Sequence, residues 1–137
     1  MRAITVLPGT AQSARLEDVP DVLGDYPGEM RMFGSDLDSE QVSFTFRRMP
    51  QHTGGKGSYG HFHRTQEEIY YVARGTLLFK LDDEVIAAGP GTAIRVAPEV
   101  VRSVWNDEPE EAHLVIVSAR LAEPQQDLGF VEDFWPD

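Results

Sequence analysis

Between residues 42 and 117 the sequence is a succession of short segments that are rich in β-branched and aromatic residues and are separated by turn residues. Such residues are enriched in strands, whereas glycine, proline and aspartate favour the turns between them. No helical stretch lies between these segments, so their spacing predicts an all-β sandwich or barrel. The clearest predicted strands are residues 42–47, 68–72, 76–81, 84–87, 92–96 and 113–117.

Two histidines and a glutamate lie where one hairpin can bring them together. Side chains of a strand alternate between its faces, so His61 and His63 point the same way and Phe62 points the opposite way. Glu68 follows a turn-like stretch and opens the return strand of the hairpin. The two strands can therefore present two imidazoles and one carboxylate to one interior point, where a single metal ion could contact all three.

The fixed spacings around these residues resemble the first signature of the cupin superfamily. In this chain the pattern is Gly55, five residues, His61-Phe62-His63, four residues, Glu68, six residues and Gly75. Several fixed spacings agree at once, which makes the resemblance specific. It extends over roughly residues 44–117.

A second signature of the same family follows in a degenerate form. It consists of Gly91, five residues, Ala97-Pro98-Glu99, two residues, Arg102, three residues and Asn106. Ala97 stands at the family's usual proline, Glu99 at its usual glycine and Arg102 at its histidine. A guanidinium cannot donate a lone pair to a metal, so Arg102 cannot replace the missing histidine ligand.

The resemblance implies a double-stranded β-helix, which is a jelly-roll barrel of the cupin type. We expect a single domain over residues 1–137, with the barrel core at about residues 42–118, an N-terminal strand and loop region at 1–41 and a C-terminal tail at 119–137. Strands are expected at residues 2–7 and around 29–33. The aromatic residues of the tail, Phe130, Phe134 and Trp135, indicate that it folds back on the domain or reaches a partner subunit. A homodimer is the predicted assembly, because sheet edges need cover.

A set of two histidines and one carboxylate is the arrangement that holds non-haem Fe(II) with open positions for substrate and O₂. The same nitrogen and oxygen donors can hold Mn, Ni, Co, Cu or Zn. We therefore predict a divalent metal ion on His61, His63 and Glu68, with a metal-free pocket as the alternative.

Three outcomes are open for Arg102. It faces an anionic substrate group while the metal keeps three protein ligands, or it pairs with Glu68 and fills the place of the metal. In the third outcome the strand register slips, so that Arg102 lies on the surface and Ser103 faces inward. Tyr70 shares strand parity with Glu68 and is predicted to face the pocket, where its hydroxyl could assist.

Other side chains are candidates for supporting roles. His113 and His52 are possible substitutes for the absent ligand, and Glu67 is the backup carboxylate. Candidate pocket walls are Tyr59, Phe46 and Trp105. The glycine cluster at residues 54–57 predicts a mobile flap near the site, since no strand-to-helix context follows that would make it a phosphate loop.

Composition excludes several classes of function. The formal net charge of −11 argues against a nucleic-acid partner, because such binding depends on Lys and Arg. No apolar run is long enough to span a bilayer, and no secretory leader is recognised, which predicts a cytoplasmic protein with no membrane partner. The absence of cysteine removes disulfides and thiolate chemistry, so any metal site must use nitrogen and oxygen ligands.

Two hypotheses of function follow. In the first, the protein is a metal-dependent enzyme, of the dioxygenase, isomerase or lyase type found in the family, with Arg102 binding an anionic group of a small organic molecule and Tyr70 assisting. In the second, it is a metal-free binding module for a small acid or sugar, with Glu68 and Arg102 as its polar anchors.

Overall fold

The computed structural model describes residues 11–137 and consists mainly of antiparallel strands. Its helical parts are a 3₁₀ turn at Leu16–Asp18 and two single-turn helices, α1 (Phe33–Asp36) and α2 (Pro124–Asp127). The strands are β1 (Glu29–Met32), β2 (Val42–Met49), β3 (Thr53–Gly54), β4 (Ser58–His63), β5 (Glu68–Arg74), β6 (Leu77–Leu81), β7 (Glu84–Ala88), β8 (Ala93–Val96), β9 (Arg102–Asn106), β10 (Ala112–Ala119) and β11 (Leu128–Trp135).

The strands form two antiparallel sheets that face each other. The first sheet has the order β1-β2-β10-β5-β8, and the second has the order β11-β4-β9-β6-β7 with the short β3 paired to β9. Neighbours such as β2 and β10 are far apart in the sequence, as in a jelly roll. The prediction of an all-β double-stranded β-helix is confirmed.

Strand alternation decides which side chains enter the core between the sheets. In β5, Tyr70 and Val72 are buried, whereas Ile69 and Tyr71 point outward and are 43% and 42% exposed. In β6, Leu77 and Phe79 are fully buried, as their shared parity predicts. The buried hydrophobic cluster draws side chains from strands of both sheets, among them β2, β5, β6, β9 and β10, and a cavity lies beside it.

Segments on both sides of the central barrel complete the two sheets. β1 pairs with β2, at the position predicted for a short strand near residues 29–33. The tail folds back, because β11 pairs with β4 and places Leu128 opposite His63 and Phe130 opposite His61. The predicted strand at residues 2–7 lies outside the described residues.

The glycine-rich segment 54–57 is fixed by hydrogen bonds, and the prediction of a mobile flap does not fit this arrangement. The Gly55 amide donates to the Val104 carbonyl at 2.9 Å, and the Gly57 amide donates to the Trp135 carbonyl at 2.6 Å. Gly54 has a φ of 124°, and a Cβ atom at this position would lie 2.0 Å from the Val104 oxygen. Glycine is therefore required here for close approach to β9, not for flexibility.

Across residues 11–137, the helices are all too short to span a bilayer. The cytoplasmic location stays a prediction.

Candidate metal and ligand site

His61, His63 and Glu68 lie together on facing strands at one end of the cavity. His61 and His63 are two residues apart in β4, so both point into the barrel. Glu68 is the first residue of β5, in the opposite sheet. His63 and Glu68 are buried, and His61 is partly open to the cavity. The structure thus brings the three predicted ligands to one place from both sheets.

The spacing of the three side chains fits a metal ion. The Nε2 atoms of His61 and His63 lie 3.8 Å and 3.5 Å from Glu68 Oε1. One ligand atom from each residue lies within 4.8 Å of the other two. Ligands about 2.0–2.2 Å from an ion and at right or tetrahedral angles are themselves separated by about 2.8–3.6 Å. The donor set therefore fits a divalent ion with small adjustments.

Glu68 is held as a carboxylate. Burial raises its pKa, but the adjacent imidazoles of His61 and His63 and the hydrogen bond from Tyr70 outweigh burial and bring the pKa far below its ordinary value. The Tyr70 hydroxyl donates one of these bonds, at 2.8 Å to Oε1. Burial and the neighbouring Glu68 charge raise the pKa of Tyr70, so its phenol stays protonated and remains a donor.

Asp127, which the sequence reasoning missed, supports His63 from the other side. Its Oδ2 atom lies 3.5 Å from His63 Nδ1. Asp127 is itself fixed, because it accepts hydrogen bonds from the backbone amide and hydroxyl of Thr65 at 2.8 Å and 2.6 Å. A carboxylate behind a histidine favours a proton on Nδ1 and leaves Nε2 free to bind a metal.

Arg102 is the third charged group at this end of the cavity, and its side chain is fully buried. It lies opposite His61 in the β4–β9 pairing, and its Nη1 atom is 4.0 Å from Glu68 Oε1. Its Nη2 donates to the Ala97 carbonyl at 3.3 Å, whereas Nε and Nη1 have no hydrogen-bond partner within the described residues. The alternative with Arg102 on the surface is wrong, although Ser103 is buried as well.

Arg47 is a further cation on the cavity wall that the sequence reasoning did not identify. It lies in β2 between the buried Thr45 and Met49, and therefore on the inner side of the first sheet. The whole cavity encloses about 640 Å³, a volume typical of small-molecule sites. Among residues 11–137, the charged residues that line it are Arg47, Glu68 and Arg102.

Several predicted supporting residues lie elsewhere. His113 points outward, 3.1 Å from Glu111 and against the Phe46 ring, and His52 stacks on Trp105 at a centroid distance of 6.0 Å. None of these residues lines the cavity, so His113 and His52 are not substitute ligands, and Phe46 and Trp105 are not pocket walls.

Of the remaining two candidates, Glu67 pairs with Arg95 at the surface and is about half exposed, so it is not a backup ligand. Tyr59 does line the cavity.

Comparison with known proteins places the central part of the chain in a family. The family model described as "Cupin domain" matches residues 48–118, which include both signature regions. No curated protein sequence matches the chain.

Solved structures with the same fold have low sequence identity to this chain. A sugar phosphate isomerase from a cupin superfamily, from Silicibacter pomeroyi, is 16% identical and superimposes with a TM-score of 0.70, covering 88% of this chain and 92% of its own. An RmlC-like cupin from Shewanella frigidimarina is 16% identical, with a TM-score of 0.63 and coverage of 80% and 91%. KdgF from Halomonas sp. is 18% identical, with a TM-score of 0.60 and coverage of 77% and 89%. At these identities the similarity establishes the fold.

Proposed function

The chain belongs to the cupin family, and on that premise we propose that it holds one divalent metal ion through His61, His63 and Glu68 and acts on a small organic anion. The observation that carries this proposal is the convergence of two imidazole nitrogens on one buried carboxylate, at 3.8 Å and 3.5 Å. The donor set and its spacing match what a divalent ion requires.

Each nearby side chain has a role in this proposal. A divalent ion at this site would supply Lewis acidity to a bound oxygen atom of the substrate. Arg102 would bind an anionic group of the substrate, because its buried Nε and Nη1 atoms have no hydrogen-bond partner in the part of the chain that the structure describes. The Tyr70 hydroxyl donates to Glu68 and would hold its carboxylate in place for the ion. Asp127 places a negative charge 3.5 Å from His63 Nδ1, which favours a proton on that nitrogen although no hydrogen bond joins the two.

The charge of the pocket favours some types of reaction over others. Among the structural neighbours, the Silicibacter pomeroyi protein is a sugar phosphate isomerase by name, and the feature of such a substrate that suits this pocket is the negative charge of its phosphate group. An isomerase or lyase acting on an organic anion is therefore the preferred reaction type, ahead of a dioxygenase.

Metal titration tests the proposal directly. Protein that has been stripped with a chelator and titrated with Mn²⁺, Ni²⁺ or Zn²⁺ in a calorimeter is expected to bind one ion per chain. The variant that carries both His61→Ala and His63→Ala should lose this binding, because only Glu68 of the three ligands remains. The matched control is His113→Ala, which removes a histidine outside the cavity and should leave binding unchanged. Equal binding by all three proteins would place the ion elsewhere and end the proposal.

A metal-free binding module is the second candidate function. It is favoured by the position of Arg102, whose Nη1 lies 4.0 Å from Glu68 and which brings a positive charge to the place where the ion would bind. In this case the titration would show no ion in the cavity, and Glu68 and Arg102 would anchor a small acid or sugar directly.

We also propose that the single domain of residues 1–137 forms a homodimer through the outer face of the first sheet. Phe44 of β2 and Ile69 of β5 flank Val117 of β10 in register, which gives an apolar row across three strands. Phe44 and Ile69 are 39% and 43% exposed, and Tyr71 beside them is 42% exposed. Exposed apolar surface of this kind on a sheet is typical of an interface.

Sedimentation velocity tests the proposed dimer. The wild-type protein is expected to sediment as a dimer at micromolar concentration, and Ile69→Lys should produce monomers because it buries a charge at the centre of the interface. Val85→Lys is the control, since Val85 is 48% exposed on β7 of the other sheet. A monomeric wild-type protein would contradict the proposal.

A further inference from the structure

Two arginines from opposite sheets face the same cavity. Arg102 comes from β9 in the second sheet, and Arg47 comes from β2 in the first. Arg102 has two buried nitrogen atoms without a hydrogen-bond partner, and Arg47 has one, its Nε. Within residues 11–137, no carboxylate forms an ion pair with Arg47.

Buried N–H donors without a hydrogen-bond partner are unfavourable in the ligand-free protein. A buried donor without a partner loses its hydration and gains nothing in return, and the penalty is larger for a charged group. Burial accordingly lowers the pKa of Arg47. The unpartnered nitrogen atoms of these two arginines, which reach the cavity from opposite sheets, therefore indicate a ligand that would satisfy them.

The charge of the cavity is opposite to that of the whole chain. The chain carries a net charge of −11, whereas within residues 11–137 the charged groups that line the cavity are two arginines and a single carboxylate, Glu68. The cavity lining is thus net positive with neutral histidines, and a metal ion would make it more so. This positive charge favours an anionic ligand. Guanidinium groups also match the oxygen atoms of carboxylate and phosphate groups in geometry.

Most of the remaining cavity wall is apolar, although the hydroxyl-bearing residues Thr45, Ser58 and Ser103 and three tyrosines also line it. Met30 and Met32 of β1 lie beside Arg47 and Thr45 in the β1–β2 register, and Leu114 and Ile116 of β10 lie on the other side of the same two residues. The tail adds Leu128 and Phe130 from β11. A ligand rich in hydroxyl groups would leave many of its polar atoms unpaired against this surface, whereas an apolar body would gain from burial.

We propose that Arg47 is a second anion-binding residue and that the pocket takes an organic anion with an apolar body, whose carboxylate or phosphate group binds between Arg47 and Arg102. The inference concerns the same cavity as the proposed function and rests on it for the reaction. Anion binding itself requires only the two arginines, and therefore does not depend on the metal.

Titrations with simple organic anions followed by NMR test this assignment. In chelator-treated protein, affinity is expected to rise severalfold with each added methylene from acetate to butyrate to hexanoate, because each buried methylene contributes about 0.8 kcal/mol. Hexyl phosphate is compared with hexanoate to identify the preferred head group, and glucose 6-phosphate serves as the hydroxylated counterpart. Arg47→Met should weaken the binding of hexanoate or hexyl phosphate, whichever binds better, at least tenfold.

Two comparisons make the result decisive. Arg95→Met removes an exposed arginine outside the cavity and should leave anion binding unchanged. Arg47→Met should unfold at the same temperature as the wild type or a higher one, because Arg47 has no ion pair to lose. Tighter binding of glucose 6-phosphate than of hexyl phosphate would overturn the apolar assignment, and unchanged anion binding in Arg47→Met would overturn the role of Arg47. Failure to bind a metal, with Arg47-dependent anion binding intact, would refute the metal site alone.

Discussion

Glu68→Leu is expected to lower the free energy of unfolding of the metal-free protein by about 3 kcal/mol, as for other buried ion pairs in which one partner is removed. The reason is the complete burial of Arg102, whose nearest carboxylate is Glu68 at 4.0 Å. Without Glu68 this cation is left without a counter-charge, and the Tyr70 hydroxyl loses its acceptor as well. Urea denaturation of chelator-treated protein measures the difference.

The neighbouring residue provides a matched control for this change. Glu67→Leu removes a carboxylate that pairs with Arg95 at the surface, where an ion pair contributes little, and the loss should be below about 1 kcal/mol. Adding Arg102→Met to Glu68→Leu should restore most of the stability, because both buried charges are then gone. If Glu68→Leu were no more destabilising than Glu67→Leu, Arg102 would not depend on Glu68 for its charge balance.

The hairpin with the two histidines could be predicted from the sequence because the alternation that identifies it lies within a few consecutive residues. Alternation within β4 places His61 and His63 on one side, and alternation within β5 places Tyr70 with Glu68. Both inferences need only the period of a strand and the position of one turn. They required no knowledge of which distant strands become neighbours.

Arg47 was missed because the hydrophobicity pattern of β2 predicts the wrong face of this strand as the interior one. The aromatic residues Phe44 and Phe46 suggest that their side is the interior, whereas the structure places Thr45, Arg47 and Met49 inside. Phe44 and Phe46 lie instead on the outer face that we propose as the dimer interface. The parity of Met49 with Arg47 was the available signal, but it competes with the strong tendency of arginine to remain in solvent.

Asp127 could not be located from sequence because its position depends on a long-range pairing. It reaches His63 only because β11 runs along β4, 65 positions apart at Leu128 and His63. One indirect signal was present in the tail: Gly129 lies under the Phe62 ring, where a Cβ atom would be 2.3 Å from the ring. A glycine between apolar residues in a strand is consistent with such close approach, but it does not name the partner.

Arg102→His is expected to raise the affinity for a divalent metal more than tenfold, which corresponds to about 1.4 kcal/mol. Residue 102 lies opposite His61, and its side chain reaches Glu68, so a histidine there would be directed at the proposed ligands. The substitution adds a neutral nitrogen donor and removes a positive charge beside the ion, and both changes favour binding. Calorimetric titration of the two proteins measures the difference.

The same substitution separates the two roles that Arg102 could have. Arg95→His makes the identical chemical change at the surface and should leave metal affinity unchanged. If Arg102 also binds the anionic group of the ligand, Arg102→His should weaken hexanoate binding in metal-free protein while it strengthens metal binding. A gain in metal affinity with unchanged hexanoate binding would assign the anion to Arg47 alone. Equal metal affinities in the wild type and Arg102→His would mean that residue 102 does not act on the ion. A side chain directed at Glu68 could not be changed in this way without affecting an ion bound there. The proposed metal site on His61, His63 and Glu68 would then have to be abandoned.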